Sequence, residues 1–268
     1  MTGVTAAGAA ALLARVRERR PLVHHITNTV TINDVANVTL ALGAAPVMAH
    51  APEEVEEMVA AAGALALNIG TLTVQTVDAM MLAGRRANAM GIPVILDPVG
   101  AGATAFRTAQ AERLLGGLRI ACIRGNAGEI AALAGHAGGV RGVDATGRVE
   151  AVDRLARDLA RRTGAAVVAT GVVDVLTDGD RVVRIENGDP LLAGITGSGC
   201  MATAAIAAMA AVEADPLLAA AAGLLCFEVA AEHAAETAAG PGTFRVRLLD
   251  ALARLDAAAV LGRAWLRA

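Results

Sequence analysis

The chain has 268 residues with 23 basic and 26 acidic side chains, a net charge of −3 and an isoelectric point near 6.0. With 1% aromatic residues, it offers neither the basic stripe nor the stacking platform that nucleic acid requires, nor a cationic face for an anionic membrane. Every basic residue is Arg and Tyr is absent, which excludes a Walker lysine, a Schiff-base lysine and a Tyr/Lys dehydrogenase pair.

In chain order, the first apolar stretch is followed rather than preceded by Arg15, Arg17, Arg19 and Arg20. This is the reverse of a secretory signal, and it reads as a helix with a solvated Arg face. PLVHHITNTV contains an extended segment in which His24 and His25 point to opposite faces and cannot share one metal ion. HAPEEVEEM opens a helix with Pro52 in its first turn and Glu53 and Glu54 at its positive end. LALNIG, IPVILDPV, LRIACIRGN and AAVVATG are continuous apolar runs ending in Gly, Pro or Asn, as strands covered on both faces should be. Val149, Val152, Leu155 and Leu159 form the apolar stripe of another helix.

VVDVLTDGDRVVRI reads as a hairpin turning at Asp178 and Gly179. From Thr196 the chain is helical almost to its end, broken at Asp215-Pro216 and Gly240-Pro241-Gly242. Residues 190–212 carry no charge, yet their glycine turn and alanine content leave a helix too short and too weakly apolar to span a membrane, so a buried core helix is expected. Cys122, Cys200 and Cys226 form no CxxC and leave an odd number. They suggest neither a disulfide framework nor a thiolate zinc site, and a reducing cytoplasm fits them. The alternation of strands and helices predicts an α/β fold over residues 1–268 as a single domain: a central, mostly parallel sheet, helices on both faces and an antiparallel hairpin at one edge.

In such a sheet ligands bind beyond the carboxyl ends of the strands. Those ends carry Asn68 and Gly70, Asp97, Arg124 with Asn126, and Thr170. DPVGAGATA and GSGCMA both match a dinucleotide fingerprint, a cheap match in a chain with 29 glycines. The strand after DPVGAG ends in Arg124, Gly125 and Asn126, not in the acid that would hold a ribose. RGNAGE has two readings: a plain N-cap with a first-turn glutamate, or a pair facing a ligand. Asp97, Glu129 and Arg124 together form a set that can hold Mg²⁺ through water and clamp phosphates.

In ITGSGC, Gly197 and Gly199 let the backbone turn sharply into a helix, so that successive N–H groups converge on an anion. Cys200 stands at its centre, where a helix N-terminus lowers a thiol pKa and favours weak base behaviour; a small apolar filler is the other reading of the same spacing. A cysteine hydrolase would need a histidine base, and nothing selects one among His24, His25, His50, His136 and His233. Cys122 and Cys226 lie in apolar runs and read as core.

Six ordered stretches, PLVHHITNTVTINDVANVTLALGAAPVMAHAPEEVEEM, NIGTL, IPVILDPVGAGATAFR, IRGNAGEIAAL, VVATGVVDVLTDG and ITGSGCMATA, resemble the hydroxyethylthiazole kinase family of the thiamine pathway. The resemblance implies a ribokinase-like fold and Mg²⁺-dependent transfer of the γ-phosphate of ATP to the primary hydroxyl of 5-(2-hydroxyethyl)-4-methylthiazole. It also implies a cytoplasmic homotrimer with active sites at the subunit contacts. Carried over by motif, Asn28, Val30, Met48, Gly70 and Gly197 would line the thiazole site, Arg124 and Thr170 would contact ATP, and Asp97 and Glu129 would organise Mg²⁺. Cys200 would take the place held by an aspartate base in ribokinase-like relatives. Ser198 stands where the family pattern suggests Thr, which keeps the hydroxyl. Related scaffolds also carry hydroxymethylpyrimidine kinases and a nucleotide-dependent dehydratase of hydrated NAD(P)H, the alternatives for this chain.

Overall fold

The structure is a computed structural model that describes residues 4–136 and 145–268. In chain order the elements are α1 (Ala6–Arg19), β1 (Leu22–Ile26), α2 (Ile32–Leu42), β2 (Ala45–Val47), α3 (Val55–Ala60), β3 (Ala64–Asn68), α4 (Val74–Met90), β4 (Val94–Asp97), α5 (Ala105–Gly117), β5 (Cys122–Asn126), α6 (Ala127–Leu133) and α7 (Ala145–Thr163). There follow β6 (Ala166–Thr170), β7 (Asp174–Thr177), β8 (Val182–Ile185), a short 3-10 helix (Pro190–Gly194), α8 (Ser198–Ala210), α9 (Pro216–Ala235), α10 (Pro241–Arg254), α11 (Ala257–Arg263) and β9 (Leu266–Arg267).

Among the described residues the strands form one sheet in the order β2-β1-β3-β4-β5-β6-β7-β8-β9. Pairings from β2 through β6 are parallel, whereas β7, β8 and β9 join antiparallel. The expected hairpin is β7–β8: Thr177 pairs with Val182 across a turn in which Asp178 Oδ1 accepts the amides of Asp180 and Arg181.

Both faces of the sheet are covered, which is why the strands at its centre, β3 and β4, read as apolar runs up to their last residue. Along β3, Ala64 and Ala66 pack into one core with α1, α2, α8, α9 and α10, while Leu65 and Leu67 pack into the other with α3 to α7. Residues 201–210 of α8 are buried throughout, so this helix shows no polar face. Small residues let α8 and α9 approach closely: a Cβ on Gly223 would lie 2.6 Å from the Ile206 Cα. By length and composition α9 could cross a membrane, but it is a core helix here, with 83% of its apolar window buried in the fold.

Several expectations need correction. Pro52, Glu53 and Glu54 form a turn ahead of α3; Glu54 is its N-cap, and Glu56 and Glu57 are its first-turn acids. The Arg face of α1 is not simply solvated. Arg15 donates to the Val212 carbonyl at 2.9 Å and Arg17 to the Leu252 carbonyl at 3.0 Å, capping helix ends on neighbouring elements. The C-terminal region is helical almost to its end, as expected, from α8 through α11, and the two-residue β9 then extends the sheet. Val152, Leu155 and Leu159 of the α7 stripe are buried, while the Val149 side chain lies outside the described residues. His24 and His25 do face opposite ways on β1, to the Ala49 carbonyl at 2.7 Å and the Thr39 hydroxyl at 3.1 Å. Burial lowers both, His25 to about 3.

Candidate active site

The parallel register brings the carboxyl ends of β3, β4, β5 and β6 side by side, with Asn68 opposite Asp97 and Asn126 opposite Thr170. The N-terminus of α8 meets this rim. Gly197 is its N-cap at φ 85°, a left-handed conformation suited to glycine, and no side chain caps the helix. A Cβ on Gly197 would also collide with Thr31. The first N–H groups of α8 are therefore left to a ligand, in the arrangement that binds anions.

Cys200 Sγ accepts hydrogen bonds from Asn68 Nδ2 at 3.2 Å and Asn28 Nδ2 at 3.4 Å. The expected lowering of its pKa is not found. Burial and the nearby Asp97 carboxylate push the thiol above its ordinary value, and hydrogen bonds from Thr31, Asn68 and Asn28 offset only part of this. Cys122 and Cys226 are buried and pushed up to about 12 by burial, as inert core thiols should be.

Asp97 is fully buried. Its Oδ2 accepts from Asn68 Nδ2 at 2.8 Å and Thr203 Oγ1 at 3.0 Å, whereas Oδ1 has no hydrogen-bond partner and lies 3.9 Å from Arg124 Nη1. Burial raises the carboxyl to about 6 despite the opposing Arg124 charge. Arg124 is held by its Nη2, which donates to Thr170 Oγ1 at 2.6 Å, and lies directly over Gly199, where a Cβ would collide with the guanidinium.

RGNAGE forms a complete capping box. Asn126 Oδ1 accepts from Gly128 N and Glu129 N, and Glu129 Oε2 accepts from Asn126 N at 2.8 Å. Glu129 Oε1 accepts from Gly100 N at 2.8 Å, tying α6 to the loop after β4. The free Asp97 oxygen is a hard donor beside an anion site. Among the described residues no three His, Cys, Asp or Glu side chains are placed to hold a metal ion. A cation at Asp97 would then complete its shell with water and phosphate oxygens, the habit of Mg²⁺, so the residues present fit that ion.

A cavity of about 660 Å³ opens beside this rim, lined by Arg124, Thr170, Ser198 and Gly199 at one end and by Leu192 and Phe227 among its apolar walls. Its volume suits a nucleotide. Asp174 and Glu228 also line it. Both are buried and both carboxyls are raised, chiefly by that burial, and Asp174 Oδ2 and Glu228 Oε2 have no hydrogen-bond partner. On the other side of Cys200, Asn28 Oδ1 accepts from Val30 N and Thr31 N, and Gly70 N donates to Asn68 Oδ1. Met48 is half-buried just past β2, while the Val30 side chain is 64% exposed.

Asn68 and Thr203 were visible in the sequence but unassigned. The usable signal for Thr203 is that it is the only polar side chain between Met201 and Ala210 in an alanine-rich helix. Arg107 also went unmarked; it donates to the carbonyls of Ile69, Gly70 and Val99 at 2.7–2.9 Å, fastening the loops after β3 and β4 together.

The model of the hydroxyethylthiazole kinase family matches residues 13–258. The hydroxyethylthiazole kinase of Methanoculleus marisnigri is 58% identical over 255 residues, covering 95% of this chain and 91% of the relative. That of Desulforudis audaxviator is 60% identical over 238 residues, 89% of this chain and 87% of the relative. The solved hydroxyethylthiazole kinase from Pyrococcus horikoshii superposes with a TM-score of 0.90 at 44% identity, covering 97% of this chain and 98% of that one. An ADP complex of Bacillus subtilis pyridoxal kinase, at 18% identity and a TM-score of 0.55 over 79% of this chain and 92% of that one, shares the fold.

Proposed function

The chain belongs to the hydroxyethylthiazole kinase family, and from that premise we propose how it phosphorylates the primary hydroxyl of 5-(2-hydroxyethyl)-4-methylthiazole with ATP. The observation that carries the reading is the meeting of two half-sites at Cys200. On one side Asn28 and Gly70 gather around Asn68; on the other Asp97 lies beside Arg124, which with Thr170 lines the nucleotide-sized cavity next to the open N-terminus of α8.

Asn28, Val30, Met48, Gly70 and Gly197 hold the thiazole alcohol so that its hydroxyl approaches Cys200. ATP lies in the cavity with its phosphates against Arg124, Thr170 and the first amides of α8. Asp97, through its free Oδ1, would hold Mg²⁺, and Glu129, whose oxygens already accept two backbone amides, would support it through water. The cation, when bound, neutralises phosphate charge as the transferring group develops it. Arg124 and the helix amides stabilise that same charge, and in-line positioning supplies most of the remaining acceleration. Cys200 takes the alcohol proton through its small thiolate fraction, because its raised pKa leaves most of the thiol protonated. Slow turnover follows from so weak a base.

Residues 1–268 act as one domain, and three copies associate with the acceptor site at the subunit contact, where the exposed Val30 would be covered. Three free cysteines suit a cytoplasmic location. Calorimetry with Mg-ATP and with the thiazole alcohol, each alone, tests the division of labour. Arg124→Gln is expected to lose nucleotide binding and keep alcohol binding, and Met48→Ala the reverse. Equal loss of both ligands in either variant contradicts it, and a monomer in sedimentation at working concentration contradicts the trimer.

A further inference from the structure

Groups serving three tasks converge on one side chain. Asn68 ends β3 opposite Asp97 and is 5% exposed. Its Nδ2 donates to Asp97 Oδ2 at 2.8 Å and to Cys200 Sγ at 3.2 Å. Its Oδ1 accepts from Asn28 Nδ2 and from Gly70 N, each at 2.9 Å. A primary amide has two N–H donors and two acceptor lone pairs, and Asn68 uses all four. Asp would keep the acceptors and lose the donors, Ser is too short to reach both sides, and Gln carries an extra methylene into a buried site.

We propose that Asn68 is the positioning residue that locks the acceptor pocket to the phosphoryl-transfer rim; this rests on the division of labour given above. With Asn68 and Thr203 both bound to Asp97 Oδ2, the carboxylate cannot rotate, and Oδ1 is the oxygen turned toward Arg124. The two amides on Cys200 Sγ fix the direction of the sulfur lone pairs. Gly70 and Asn28, the acceptor walls, cannot shift without moving the same amide, and the packing there is tight: a Cβ on Gly70 would meet the Asn28 Cβ at 2.8 Å and the Asn68 Oδ1 at 3.0 Å. The alcohol and the phosphoryl group are thereby held in one frame, the condition under which small displacements cost large factors in rate.

The test uses Asn68→Asp, which keeps the acceptor oxygens and puts a carboxyl in place of the amide donor beside Asp97 and Cys200, and Asn68→Ser, which removes contacts on both sides. For Asn68→Asp, kcat is expected to fall by about 100-fold while the thiazole dissociation constant, measured without nucleotide or metal, changes by less than about threefold. Asn68→Ser is expected to lose kcat similarly and to bind the alcohol about tenfold more weakly. A readout independent of turnover is alkylation of Cys200 by iodoacetamide in the nucleotide- and metal-free protein, with buried Cys122 and Cys226 as internal controls. A carboxylate in place of the amide donor should slow it by about tenfold or more.

Should Asn68→Asp fail to fold, an Asn68→Ser enzyme with kcat and alcohol binding both within about threefold of the parent overturns the proposal. Asn68→Asp with kcat and alkylation both within about threefold of the parent overturns the proposal, as does a fall of kcat and alcohol binding together, in proportion to lost thermal stability, in both variants. Absence of thiazole phosphorylation by the parent protein would defeat the functional reading instead, and the alkylation comparison would still decide whether Asn68 governs the sulfur.

Discussion

Gly199→Ala should separate function from stability. Gly199 lies in the first turn of α8 and is not in the left-handed region, so its backbone accepts alanine, and a helix gains about 0.5–1 kcal/mol from the exchange. The new Cβ would, however, fall on Arg124, too close to Nη1 to be tolerated and within 2.8 Å of Nη2 and 2.9 Å of Cζ. The guanidinium is the movable partner, and to clear the methyl it must give up its 2.6 Å bond to Thr170 and its place over the helix N-terminus. Losing one charge-assisted hydrogen bond to a phosphate costs about 1.5–3 kcal/mol, so kcat/KM for ATP should fall about 10- to 150-fold. The helix gain offsets the lost Thr170 bond, so Tm should stay within about 3 °C. Gly197→Ala is the contrast, because its φ of 85° and the blocking Thr31 side chain should lower stability by about 2 kcal/mol. Initial rates with varied ATP, together with thermal unfolding, decide the matter. A Gly199→Ala enzyme with a kcat/KM for ATP within about twofold of the parent would refute the placement of Arg124 over the phosphates.

Asp97→Asn is expected to reduce kcat by about 1000-fold, because the free oxygen that holds the cation loses its charge. Asp97 must be ionised to hold Mg²⁺ and its pKa is raised to about 6, so kcat/KM should decline as pH falls through that value; a flat profile from pH 5 to pH 8 would contradict this assignment. Cys200→Asp should retain or raise activity, since a carboxylate is a better base at the same place, and complete loss in a folded variant would show that sulfur does something an oxygen base cannot. Glu228→Gln should raise Tm by about 2–4 °C at pH 8. The raised Glu228 holds a proton that the unfolded chain releases above its ordinary pKa of 4.5, so folding is penalised as pH rises from there toward the folded value; the neutral amide escapes this, and its advantage should vanish by pH 5. A destabilised Glu228→Gln at pH 8 would contradict this penalty.

The four central parallel strands are legible because burial on both faces keeps them apolar up to their carboxyl ends, where the polar residues gather. In β1 the buried His24 and His25 interrupt that signature, and their partners, Ala49 and Thr39, come from other elements. β2 has three residues and β9 two, too few for any periodicity. Pro52 misplaced the start of α3 because proline suits a turn before a helix as well as a first turn. At the site, strand-end position alone marks Asp97, Arg124 and Thr170, and the glycine turn marks Cys200. The joint roles of Asn68 and Thr203 are not local: their bonds to Asp97 span 29 and 106 positions in the chain. The raised pKa of Cys200 is likewise not local, since a helix-end argument sees only the dipole, while the burial that chiefly raises the thiol comes from the packed fold and the carboxylate that adds to it from β4.

The most direct measurement is ADP release from purified protein with Mg-ATP in the presence of hydroxyethylthiazole, of hydroxymethylpyrimidine and of no acceptor, with the product identified by mass. The account predicts release that depends on the thiazole alcohol and a matching quantity of its phosphate monoester. No release above background with either alcohol, or release with the pyrimidine alone, would contradict it.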